Sequence, residues 1–132
     1  MIPLRLRVLF SEDNQDTREM ISILLDEVGI DVVCPKTAHE VLDLAKQEHF
    51  DAFVLDNWTP GLSGLDLCRE IRKFNLHTPI IFYSAAAFAH DKAQALASGA
   101  QCYITKPGNV QALTGAIRSA RKGKGLSASR AH

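Results

Sequence analysis

Residues 51–64 read Asp51-Ala52-Phe53-Val54-Leu55-Asp56-Asn57-Trp58-Thr59-Pro60-Gly61-Leu62-Ser63-Gly64. Asp51 to Leu55 is a near-continuous apolar run, as expected of a strand buried on both faces, and it ends on an acid, Asp56. Pro60 and Gly61 punctuate the loop that follows. Ser63 or Gly64 then opens a helix carrying Leu65, Leu67, Cys68 and Ile71. This succession of strand, polar end, loop and helix recurs along the whole chain.

Upstream, Leu4–Phe10 is rich in branched and aromatic residues and stops at Ser11-Glu12-Asp13-Asn14. Thr17–Val28 places Met20, Ile21, Ile23, Leu24, Leu25 and Val28 in a helical stripe, which Gly29 ends. Asp31–Pro35 is a short strand. Thr37 is an N-cap with Glu40 three residues on, a capping box, and Val41, Leu42, Leu44 and Ala45 continue that helix. Downstream, Pro79–Tyr83 is an apolar run ending at Ser84. Phe88–Ala97 is an alanine-rich helix stopped by Gly99. Ala100–Thr105 is the last strand, and Asn109–Ala120 the last helix, with Val110, Leu113 and Ile117 on one face. Five strands alternating with five helices predict an α/β fold, a doubly wound parallel sheet with helices on both faces. The flavodoxin-like order 2-1-3-4-5 is the one the polar residues require, with ligands at the carboxyl ends of the strands.

The 132 residues suffice for one domain, with 46% hydrophobic and 23% charged residues. Fifteen basic and fifteen acidic residues cancel, so no global charge draws the chain to nucleic acid or an anionic membrane. No apolar run approaches the ~20 residues that span a bilayer. Cys34, Cys68 and Cys102 have no metal or redox spacing and read as free, buried thiols of a cytoplasmic protein. His39, His49, His77, His90 and His132 share no ligand spacing and read as surface residues. After Lys122 the glycine-, serine- and base-rich stretch reads as a flexible tail or truncated linker, 123–132, with the domain occupying 1–122.

The chemistry gathers at one end of the predicted strands. Glu12 and Asp13 follow the first strand, Asp56 the third, Ser84 the fourth and Lys106 the fifth. A parallel sheet puts all these ends on one edge. Three carboxylates in one place repel unless a cation joins them, and hard oxygen ligands suit Mg²⁺. Lys106 is a positive donor and Ser84 a hydroxyl donor for phosphoryl oxygens, and Pro107 makes a cis Lys106–Pro107 bond plausible. Such a site performs phosphoryl transfer by positioning and charge neutralisation, with Asp56 as nucleophile. Taken singly, Asp13 reads equally as a helix cap, Ser84 as a cap of the following helix, and Lys-Pro as a loop marker.

With these motifs together, from Leu4 to about Lys122, the chain resembles a response-regulator receiver domain of two-component signalling. Glu12-Asp13-Asn14 resembles its acidic pair, and Asp56 to Gly64 its phosphoacceptor loop. Ser84-Ala85 resembles its switch hydroxyl and alanine, and Tyr103-Ile104-Thr105-Lys106-Pro107 its switch aromatic and Lys-Pro. The resemblance implies that Asp56 takes a phosphoryl group from a histidine-kinase phosphohistidine. It implies that Glu12, Asp13, Asp56 and the Trp58 carbonyl hold Mg²⁺, and that Lys106 and Ser84 bind the phosphoryl group. Ser84 and Tyr103 would then move together and alter the face made by the fourth helix, fifth strand and fifth helix. The implied partners are a sensor histidine kinase or phosphotransfer protein and a downstream effector or missing output domain, without direct membrane or nucleic-acid binding. The implied protein is a switch that modifies itself, not an enzyme with an external substrate. Met1 just before the first strand reads as the natural start of a regulator.

Several positions depart from the family pattern. Thr59 replaces the usual methionine, and Gln101-Cys102 and Gly108 replace residues of the usual active dimer of winged-helix regulators. Trp58 and Ala86 occupy positions that tune phosphoryl lifetime. The indole would either shield the acyl phosphate or cover apolar surface. The fourth helix is poor in bulk, and Phe88 either projects as a partner anchor or folds back into the core. Rival readings are a partner-binding pseudo-receiver, an aspartyl-nucleophile phosphatase and a flavodoxin-like electron carrier. Trp58, where the phosphatase wants a second acid, opposes the second, and the acidic Glu12-Asp13 loop opposes the third.

Overall fold

The computed structural model describes residues 5–59, 61–86, 88–106 and 110–130, with the side chains of 59 and 121–130 outside that description. The expectations placed on Pro107, Gly108 and His132 therefore lie outside the described residues. Five parallel strands form one sheet: β1 (Leu6–Ser11), β2 (Ile30–Val33), β3 (Ala52–Leu55), β6 (Ile80–Ser84) and β7 (Cys102–Thr105). Their order, β2-β1-β3-β6-β7, is the predicted 2-1-3-4-5 order of the core strands. Between β3 and the next helix lies a ribbon of two two-residue strands, β4 (Trp58–Thr59) and β5 (Leu62–Ser63), too short for sequence periodicity to register.

Strand alternation divides the apolar residues between two faces. Phe53, Leu55, Ile80 and Phe82 pack with Val41, Leu67 and Ile71 of α2 (Ala38–Gln47) and α3 (Gly64–Arg72). Val8, Phe10, Val54 and Ile81 pack with Ile21 and Leu25 of α1 (Gln15–Glu27) and Leu113 and Ile117 of α5 (Val110–Arg130). Both faces of β3 are thus sealed, and all four of its residues are buried. Helix α4 (Ala89–Ala97) buries only Ala95.

Side-chain caps set the helix starts. Asn14 Oδ1 accepts from Thr17 N at 2.9 Å, Thr37 Oγ1 from Glu40 N at 3.2 Å, and Ser63 Oγ from Asp66 N at 3.1 Å. Gly29 follows α1 with φ of +87°, a conformation that favours glycine. Helix α5 runs through Arg130, into the stretch 123–132.

At the amino ends of β6 and β7, Arg72 ties four loop residues together. Its guanidinium donates to the carbonyls of Gly99 (2.9 and 3.0 Å), Asn75 (3.0 Å) and Thr78 (2.8 Å), and to Gln101 Oε1 at 3.0 Å. Gln101 Oε1 also accepts from Ile80 N at 2.7 Å.

At the opposite, carboxyl edge, Gly64 lies directly against the backbone of the Asp56 loop. A Cβ at Gly64 would stand 2.2 Å from the Asp56 carbonyl oxygen and 2.9 Å from its carbon. Backbone cannot yield as a flexible side chain does. Gly64→Ala should lower stability by about 1–3 kcal/mol, the usual effect of overpacking, seen as a lower urea midpoint. An unchanged midpoint would show that the loop moves aside freely.

Candidate functional site

Parallel pairing places the acids. Ser11 of β1 is in register with Leu55 of β3, so Glu12 and Asp56 leave the sheet side by side. Asp56 N donates to the Ser11 carbonyl at 3.2 Å and fixes the junction. On the other side, Ser84 pairs with Thr105, and Lys106 N donates to the Ser84 carbonyl at 2.8 Å.

The side chains then converge. Glu12 and Asp56 are 2% and 4% exposed, unusual for carboxylates, while Asp13 is exposed. The Lys106 ammonium donates to Glu12 Oε1 and, at 2.7 Å, to Asp56 Oδ2. Trp58 N donates to Asp56 Oδ1 at 3.3 Å, and Asn14 N to Glu12 Oε2 at 3.2 Å. Asn14 caps α1, which leaves the Asp13 carboxylate out of the cap. Arg18 braces this loop from beneath, donating to the carbonyls of Glu12 and Asp13, each at 3.0 Å. Neither the Asn14 cap nor Arg18 was singled out from sequence. An arginine in the first turn of a helix carries no signal that it reaches backwards.

Burial pushes the Glu12 carboxyl above its ordinary range, and the charge of Asp56 adds to this; hydrogen bonds from Lys106 and Asn14 N oppose it. For Lys106, burial works to lower the ammonium, but Asp56 and Glu12 together outweigh it and the net shift is upward. The lysine is therefore held charged.

One carboxylate oxygen each from Glu12, Asp13 and Asp56 lie within 4.8 Å of one another. Among the described residues Lys106 is the cation that ion-pairs with these carboxylates, and one ammonium against three acids leaves the ionised cluster a surplus of negative charge. Hard oxygen donors and that charge surplus fit a small divalent cation such as Mg²⁺.

Ser84 is fully buried, and its Oγ accepts from Ala86 N at 3.3 Å. Tyr103 stacks on Phe82 with centroids 5.7 Å apart and planes within 6°. Its hydroxyl donates to the Ala86 carbonyl at 2.6 Å and accepts from Asn57 Nδ2 at 3.0 Å. Sequence reasoning passed over Asn57, because an asparagine in a turn needs no further explanation.

Other expectations divide. Trp58 is 69% exposed and does not cover the core. Phe88 is 73% exposed, its ring stacked on His90 at 5.8 Å, so it projects outward. His39, His49, His77 and His90 are all exposed. The cysteines are free, but only Cys68 is fully buried; Cys34 and Cys102 are half-buried at strand ends, and burial pushes the Cys34 thiol up to about 11. No described helix is long and apolar enough to cross a membrane.

Residues 8–118 match the response regulator receiver domain family. The chain belongs to that family. The receiver domain is 33% identical over 118 residues to the uncharacterized transcriptional regulatory protein YkoG of Bacillus subtilis, covering 89% of this chain and 52% of that protein. It is 34% identical over 102 residues to the cell cycle transcriptional regulator CtrA of Caulobacter vibrioides, covering 77% of this chain and 44% of the relative. It thus spans about half the length of these curated relatives. Among solved structures, the receiver domain of the Francisella response regulator 1452 superposes with a TM-score of 0.85 at 30% identity, covering 89% of this chain and 98% of that one. A receiver domain from Clostridium thermocellum gives a TM-score of 0.85 at 28% identity, with coverages of 92% and 98%.

The site's charge makes stability depend on pH and on cations together. Glu12 binds its proton more tightly folded than unfolded, because its folded value is raised. Its contribution is therefore fully present below the unfolded value and is lost as pH rises through the raised one. A divalent cation needs the ionised form, so it restores stability in that upper range. Millimolar Mg²⁺ should raise the Tm of the receiver domain near neutral pH, with the gain shrinking toward about pH 4, where protons compete for the same oxygens. A Tm indifferent to Mg²⁺ at neutral pH would count against the cluster as a metal site. Lys106→Met should lower stability by about 3 kcal/mol near neutral pH, since it leaves two buried carboxylates without their shared cation; urea unfolding measures it.

Proposed function

We propose that this receiver domain is a phosphoryl-accepting switch in which Asp56 takes the phosphoryl group from a phosphohistidine of a sensor histidine kinase or phosphotransfer protein. The observation that supports this most directly is the pair of buried carboxylates, Glu12 and Asp56, sharing the Lys106 ammonium beside Asp13. An Asp56 oxygen forms the new O–P bond as the donor's P–N bond breaks, and the imidazole leaves with the electron pair. Glu12, Asp13, Asp56 and the Trp58 carbonyl would hold Mg²⁺, which when bound offsets charge on the transferring group. Lys106 has a charged, oriented donor already at the acceptor carboxylate and would pass it to a phosphoryl oxygen. Ser84 supplies a hydroxyl from the neighbouring strand end.

The output follows from connectivity. Ser84 and Tyr103 meet at the Ala86 backbone, and Ala86 leads into α4. Phosphorylation at Asp56 would bias this pair and change the partner affinity of the face formed by α4, β7 and α5. We read the reader of that face as a downstream effector or an appended output domain, in a cytoplasmic pathway, with no external substrate turned over. Among the described residues, Leu113 and Ile117 of α5 join the core, with Ala120 packed against the same cluster. We take the domain as 1–122 and 123–132 as a tail or linker.

Incubation with a small phosphodonor and Mg²⁺, followed by intact mass, should show a gain of one phosphoryl group. The gain should vanish in Asp56→Asn and after chelation of the metal. A parent protein that gains nothing would sink the proposal. The exposed Trp58 indole, two residues from the acceptor, is proposed to slow water's approach to the acyl phosphate. Trp58→Ala should speed dephosphorylation several-fold, and an equal rate in both proteins removes that role.

A further inference from the structure

Asn57 makes contacts that the roles above do not use. It immediately follows Asp56, and its carbonyl accepts from Gly64 N at 3.0 Å, which anchors the loop backbone. Its side-chain Nδ2 donates to the Tyr103 hydroxyl at 3.0 Å, the phenol donates to the Ala86 carbonyl at 2.6 Å, and Ala86 N donates to Ser84 Oγ at 3.3 Å. The acceptor loop, the aromatic and the hydroxyl loop are thereby joined in one chain of hydrogen bonds. Stacking on Phe82 fixes the plane of the Tyr103 ring, and these bonds fix where its hydroxyl ends.

The other end of the same carboxamide is equally informative. Asn57 Oδ1 is buried and has no hydrogen-bond partner among the described residues. Turning the amide over would set two acceptors against the phenol's single proton, so the orientation seen is the one in which Tyr103 keeps both bonds. The unpaired acceptor stays with Asn57 whether or not Tyr103 is bonded, so the donated bond sets a preference for the bonded, inward Tyr103 of about five-fold, the size of one net hydrogen bond. A preference of that size is one that a modest input can reverse.

We propose that Asn57 is a positioning residue of the switch, holding Tyr103 against the β6–α4 loop and carrying movement of the Asp56 loop to it directly, in parallel with Ser84. This rests on the reading of Asp56 as phosphoacceptor, but the resting contact does not require phosphorylation to be observed. The chain has two tyrosines, and buried Tyr83 is an internal reference for Tyr103. The test is fluorine NMR of the full chain carrying 3-fluorotyrosine, with Tyr103→Phe assigning the signals.

Asn57→Leu should raise the outward population of Tyr103 about five-fold, the effect of losing one net hydrogen bond, and leave Tyr83 unmoved. Asn57→Ala provides the same comparison if leucine disturbs folding. With phosphodonor and Mg²⁺, Tyr103 should still respond in Ser84→Ala and should stop responding in Ser84→Ala/Asn57→Leu, compared at equal phosphoryl occupancy by intact mass. A Tyr103 signal in both Asn57 variants identical to the parent would overturn the proposal, as would a response that survives in the double variant. Failure of the parent to gain a phosphoryl group would sink the Asp56 reading alone, and the resting comparison would still decide Asn57.

Discussion

The Lys106 ammonium between Glu12 and Asp56 is the interaction on which the rest of the site depends. Two carboxylates cannot sit side by side out of water without a counter-charge. Lys106 supplies one from the end of β7, across the intervening β6, and so Asp56 is held inside the fold and not splayed into solvent. The same contact makes the cluster incomplete. Three carboxylates still face one ammonium, and burial, with the charge of Asp56 adding to it, holds the Glu12 carboxyl above its ordinary range. A cluster of hard oxygen donors with surplus negative charge is one that a small divalent cation fits.

Residues that owe their place to topology were legible in the sequence. Glu12, Asp13, Asp56, Ser84 and Lys106 each follow an apolar run, and a parallel sheet gives such positions no choice of edge. The strand order followed from the same constraint. What could not be read depended on side-chain reach. Arg18 turns back along its own helix to the Glu12 and Asp13 carbonyls, and Asn57 reaches across two strands' ends to Tyr103. Periodicity carries no information about either. The β4–β5 ribbon is too short to alternate.

The two-sided core also explains how the Asp56 carboxylate is held in place. All four residues of β3 are buried, so Asp56 is carried on a strand enclosed on both faces. Gly64 then brings the start of α3 into contact with the Asp56 carbonyl, closing the loop from the other side. The flexible choices are displaced to the neighbouring loops, where α4 buries a single alanine and Phe88 stands in solvent.

Arg72 gives this asymmetry a mechanical meaning. Its hydrogen bonds to Gly99, Asn75, Thr78 and Gln101 rivet the amino ends of β6 and β7, at the rim farthest from the charges. At the other rim, Ser84 and Lys106 are tied to each other through the backbone and to the acids through the Lys106 ammonium. The two rims of one sheet are thus held by different bonds: neutral acceptors at one, and at the other an ion pair whose strength follows the local charge.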